Sequence, residues 1–181
     1  MVRKKLLTLL SVVGLLACGA CFLPPPHSQP PPPPPYLRGV HGIFLEVTDS
    51  SDPHKIDTDH LGQWIAAAIN ARNQGRNPRV YSGGQPKAGD AVLHVSIGDE
   101  GAASKPEPQS PQTRWTFTVS IAATLTAADG AVLWQKSSRQ FHLNRRLLAS
   151  TPELAWQSPA VAVWLRSIAY DLAVDMLRIN E

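Results

Sequence analysis

Hydrophobic and polar positions alternate along residues 39–48, with Ile43, Leu45 and Val47 on one parity and Phe44, Glu46 and Thr48 on the other. A period of two predicts a strand there. After a break at 49–53, the apolar period lengthens. Leu61, Trp64, Ile65, Ala68 and Ile69 follow the i, i+3, i+4, i+7, i+8 stripe of an amphipathic helix, with Asp57 or Thr58 as its cap and Gly75 as its stop. A short strand is expected at 79–82, and another at 91–97, where Leu93, Val95 and Ile97 alternate with polar neighbours. Residues 98–113 hold Pro106, Pro108 and Pro111 among Gly, Ser and Gln, and read as an exposed connection.

The longest alternation follows. Trp115, Phe117, Val119, Ile121, Ala123 and Leu125 share one face, while Thr116, Thr118, Ser120, Thr124 and Thr126 share the other. This is the pattern of a half-buried antiparallel strand. Asp129-Gly130 signals a two-residue hairpin turn. On the returning strand, 131–143, Val132 and Trp134 have one parity and Phe141 and Leu143 the other. Both pairs reach the core only if one extra residue intervenes, which predicts a bulge within 135–139.

Ser158 and Pro159 open a second helix in which Val161, Trp164, Leu165, Ile168, Leu172 and Met176 form one apolar stripe. Val163, Tyr170, Val174 and Leu177 form another, so this helix needs cover on more than one side. The plainer account is cover from residues 147–157, which include Leu154 and Trp156; the sharper one is a docking surface for another protein or lipid. The order β-α-β-β-β-α, plus the short strand at 79–82, specifies an α+β fold. We expect a two-layer sandwich of a mostly antiparallel four- to five-stranded sheet with two helices on one face.

The first seventeen residues change the picture. Arg3, Lys4 and Lys5 precede an apolar run from Leu6 to Leu16, the layout of a secretory signal that is too short for a permanent membrane span. Leu15-Leu16-Ala17-Cys18 resembles the lipobox of bacterial lipoproteins. That resemblance implies cleavage before Cys18, diacylglyceryl transfer to its thiol and acylation of the new amino terminus. Gly19 rather than Asp follows, which by analogy with the usual sorting signal directs the chain to the outer membrane, with the domain facing the periplasm. The segments are therefore 1–17 signal peptide, 18–36 acylated cysteine and proline-rich tether, and 37–181 a single domain. The tether holds nine of the chain's 17 prolines. As polyproline II, at ~3.1 Å per residue, it reaches roughly 50–60 Å.

Processing also changes the charge. The full chain carries a formal net charge of +3, but loss of Arg3, Lys4 and Lys5 leaves 14 basic against 14 acidic residues. The basic pI belongs to the targeting segment and gives no support for a nucleic-acid partner. With Cys18 acylated, Cys21 has no intrachain partner, so no disulfide staples the fold.

No nucleophile elbow, phosphate loop or dinucleotide fingerprint is present, and no catalytic residue or cofactor is assigned. Asp49, Asp52, His54, Asp57, Asp59 and His60 are donor types that could hold a divalent metal. They lack ligand spacing, however, and acids at a helix N-terminus are expected from capping. The reading is no metal site. Arg139, His142, Arg145 and Arg146 form the densest basic cluster. Its arginines are candidates for lipid phosphates, with a solvated strand end as the plainer account.

The whole arrangement over 39–179 resembles the small outer-membrane lipoproteins of the lipopolysaccharide-assembly family. There an acylated cysteine precedes a β-α-β-β-β-α domain. The hairpin Ile121-Ala-Ala-Thr-Leu-Thr-Ala-Ala-Asp-Gly-Ala-Val-Leu-Trp-Gln135 is similar to that family's long strand, Asp-Gly turn and Val-Leu-Trp return. Membership implies a non-enzymatic lipoprotein that supports a β-barrel translocon and contacts lipopolysaccharide. Lipoproteins that activate peptidoglycan synthases share the element order, and their type member also carries a proline-rich tether. A tethered regulator of such a synthase is the alternative, with a metal-binding periplasmic protein behind it.

Overall fold

The computed structural model describes residues 33–51, 55–108 and 110–178. The signal peptide, Cys18, most of the tether, Asp52 and His54 lie outside the described residues. Five strands form one sheet: β1 (Gly42–Asp49), β2 (Arg79–Tyr81), β3 (Ala91–Pro106), β4 (Thr113–Thr126) and β5 (Val132–Leu147). Three helices accompany them: α1 (Thr58–Arg72), the short α2 (Pro152–Trp156) and α3 (Pro159–Leu177). The strand order is β2-β1-β3-β4-β5. The long β3–β4 and β4–β5 pairs are antiparallel, whereas β1 runs parallel to both β2 and β3. The architecture is the expected two-layer α+β sandwich, built on a mixed sheet.

The core lies where the predicted faces meet. Ile43, Leu45, Leu93, Val95, Phe117, Val119 and Leu125 are buried beneath Leu61, Ile65 and Ile69 of α1 and Val161, Ile168 and Met176 of α3. Burying each such side chain contributes roughly 1.5–3 kcal/mol. Both helices start as their sequences direct. Asp57 caps α1 by accepting from the His60 backbone N–H (3.0 Å), and Ser158 caps α3 by accepting from that of Val161 (3.4 Å). Asn70 of α1 accepts from the Val80 N–H and donates to its carbonyl, both at 2.8 Å, which holds the three-residue edge strand β2 in place. Tyr36, the last residue of the expected tether, donates to the Met176 carbonyl at the end of α3, and burial pushes its hydroxyl pKa up to about 12.

The returning strand carries the anticipated bulge. Ile121 pairs with Arg139 but Ala123 with Lys136, so one extra residue sits at 137–138. Trp134, Phe141 and Leu143 then all face the helices. Val132 departs from expectation: a second shift between Leu125 and Thr126 turns it outward, and it is exposed.

Two further expectations are corrected. Residues 98–106 extend β3 instead of belonging to a connection. Pairing with 113–120 imposes the extended state, and a bulge between Gly98 and Gly101 absorbs the local irregularity. The Asp129-Gly130 turn is a three-residue loop rather than a two-residue one. Ala127 N–H reaches the Ala131 carbonyl, Gly130 N–H reaches the Ala127 carbonyl, and Gly130 takes φ +86°. This is the type I turn closed by a glycine bulge.

Candidate functional site

β5 is an edge strand of 16 residues with no acidic side chain. Its register distributes the basic cluster over both faces. Arg139 and Arg145 pair opposite Ile121 and Trp115 and so lie on the helix side, while His142 and Arg146 pair opposite Thr118 and Arg114 on the outer side. Adjacent Arg145 and Arg146 therefore point in opposite directions. Arg146 is also committed: Glu107 accepts from it at 3.0 Å and from Arg114 at 2.7 Å, tying the β3–β4 connection to the strand end. Arg139 lies 5.1 Å over the Phe141 ring, and Arg145 donates to the Asn144 carbonyl. Neither has a carboxylate partner among the described residues. Lys136, in the same helix-side row, pairs with Asp175 of α3. The row thus runs Trp134, Lys136, Arg139, Phe141, Leu143, Arg145, mixing basic and apolar side chains on one face.

At the start of α1, Asp57 and His60 satisfy each other. The carboxylate caps the helix and approaches His60 Nδ1 at 2.6 Å, and the His60 backbone N–H is the main cause holding Asp57 below the usual carboxylate range. Among the described residues no group of three or more His, Cys, Asp or Glu is placed to hold a metal ion. A different carboxylate stands out. The β3 bulge turns Glu100 toward the β1–α1 connection, where it accepts from the Lys55 backbone N–H at 3.0 Å. Burial first, and the neighbouring Asp49 carboxyl second, push Glu100 up to about 6.

On α3 the first stripe is buried, as its spacing requires. The second is not covered: Val163 is 64% and Tyr170 55% exposed, and Val174 and Leu177 are half-buried. Residues 147–157 do not supply the expected lid. Trp156 turns inward to meet Phe117 edge-on at 5.0 Å, Ala149 accepts from Trp115 Nε1, and Leu154 stays exposed. Arg72 of α1 reaches Tyr170 Oη at 3.4 Å. Sequence spacing did not reveal a cavity between the first turns of α1 and α3, where Trp64, Trp156 and Arg166 converge.

No family model matches the chain, and no curated protein does. Solved structures do resemble it. A minor lipoprotein from Acinetobacter baumannii is 14% identical, with 76% of this chain and 90% of that one covered at a TM-score of 0.43. A Xanthomonas campestris protein is 17% identical, covering 81% and 87% at 0.49. Rare lipoprotein B from Shewanella oneidensis is 12% identical, covering 74% and 90% at 0.34. Bacterial lipoproteins recur among these distant neighbours.

Proposed function

We propose that this chain is a non-enzymatic lipoprotein, anchored to the outer membrane through Cys18 with its domain in the periplasm, that supports an envelope assembly machine. In its sharper form the machine is the one that assembles lipopolysaccharide, and the partner is a β-barrel protein. The observation that carries the reading is β5, a long strand with one edge unpaired among the described residues, whose helix-side row holds Arg139 and Arg145 without a carboxylate partner among those residues. A strand edge adds to another strand through main-chain hydrogen bonds, and arginine is the side chain suited to bidentate capture of carboxylate or phosphate. The same row therefore suits both a protein edge and a phosphorylated lipid.

The proline tether favours a second reading, a regulator that reaches a peptidoglycan synthase across a gap. Affinity purification of the acylated chain from native membranes separates the two. Recovery of a β-barrel protein, lost in an Arg139→Glu/Arg145→Glu variant, supports assembly; recovery of a penicillin-binding protein replaces it with the regulator. Shortening Pro30 to Pro35 distinguishes them again, since a regulator loses reach whereas a barrel-bound protein tolerates the change.

A further inference from the structure

A cavity of about 340 Å³ opens between the first turns of α1 and α3. Ile56, Trp156, Val161 and Leu165 give it an apolar floor, and Trp64 forms a wall. Its rim is polar and of mixed charge, with Arg166 on the α3 side and Lys55 and Asp57 on the α1 side. Arg166 sits 4.9 Å over the Trp64 ring and has no carboxylate partner among the described residues. Lys55 lines the opposite side, near Glu100 and Glu153. The lining carboxylate, Asp57, is already occupied by the α1 cap and His60. Ser158 and Ala162 bring the N-terminal, partially positive end of α3 to the same opening. Trp156 is 7% exposed, and its Nε1–H has no acceptor among the described residues.

We infer that this cavity binds a small anionic amphiphile, a carboxylate head on a short alkyl chain. An apolar floor selects the chain, because removing it from water is favourable in proportion to the area covered. Arg166, which has no carboxylate partner among the described residues, and the α3 terminus select the charge, whereas Lys55 is offset by Glu100 and Glu153. A guanidinium centred over an indole is held in place by the ring and keeps N–H donors for a carboxylate, so little side-chain freedom is lost on binding. At about 30 Å³ per water-sized group, the volume accepts on the order of ten heavy atoms, which matches an eight-carbon acid.

The test uses the acylated chain beginning at Cys18 in lipid nanodiscs, with protein-free discs subtracting partition into lipid. Octanoate and octyltrimethylammonium, below their micelle concentrations, and octanol, below its solubility limit, are titrated while tryptophan fluorescence is followed, since Trp64 and Trp156 both line the cavity. Octanoate is expected to give a saturable change at least tenfold tighter than octanol, with none from the cation. Arg166→Gln, a change at an exposed position, lowers octanoate affinity about tenfold and leaves octanol unchanged, as loss of one charge-assisted contact requires. Ala162→Phe fills the opening and abolishes both responses. Equal responses to all three probes, or octanoate affinity unaffected by Arg166→Gln, overturns the inference whether or not Ala162→Phe folds.

Discussion

Single residues carry the sharpest consequences. Asp57 is the α1 cap, so Asp57→Ala lowers unfolding free energy by about 1 kcal/mol while Asp57→Asn, which still accepts from the His60 N–H, holds it; denaturant midpoints read the difference. At Gly101 an added Cβ meets Thr118 Oγ1 at 2.5 Å. Gly101→Ala therefore costs on the order of 1–3 kcal/mol, and pairing it with Thr118→Ala recovers much of that loss in a double-mutant cycle. Glu100 has a pH signature. Its folded pKa of about 6 stands above the ordinary glutamate value, so the folded chain keeps a proton that the unfolded chain releases. Its contribution to stability is complete below the unfolded value and is lost as pH rises through about 6. Compared with the parent, Glu100→Gln is accordingly more stabilising at pH 7.5 than at pH 4.5, and thermal melts across that window show it. A constant difference refutes the raised pKa of the buried Glu100 carboxyl.

At the scale of elements, β5 shows how parity alone reveals geometry. Trp134 and Leu143 are an odd number of residues apart yet both face the helices, so the chain must hold one surplus residue, and Ser137–Ser138 supplies it. Deleting Ser138 converts the strand to regular pairing with the same core residues, and the fold persists. Deleting Ala122 from β4 instead sends Ile121 and Ala123 to opposite faces, and the domain fails to fold. Circular dichroism and melting curves of the two deletions check this. Other features were hidden for identifiable reasons. Residues 98–106 have no apolar alternation of their own, so only their partner β4 makes them a strand. Arg145 and Arg146 read as one cluster because they are adjacent, yet adjacency on a strand means opposite faces. Helix caps and the α3 stripe were legible because they depend on neighbours within one turn.

For the whole molecule, the balanced charge of residues 18–181 conceals an uneven distribution. β5 has Lys136, Arg139, Arg145 and Arg146 and no acid, while Asp49, Asp57, Asp59 and Glu100 gather where β1 leads into α1. The fold class followed from two helical stripes and four alternating segments, each of which can bury its apolar face only against another. The cavity did not follow, since residues 55–64 and 156–166 meet only after α1 and α3 pack side by side on the sheet. What joins these parts in the proposed account is the anchor. Cys18 fixes the domain to a membrane, the tether sets its reach, and β5 presents the edge that a partner would take.

That account is tested most directly by placing a photo-crosslinking amino acid at the exposed Gln140 of β5 in the acylated chain, which keeps Arg139 and Arg145, and irradiating native membranes. The account predicts a discrete adduct with an outer-membrane β-barrel protein, lost when Cys18→Ala prevents anchoring and retained when Pro30 to Pro35 is shortened. An adduct with a penicillin-binding protein, or a barrel adduct that persists without the acylated cysteine, would contradict it.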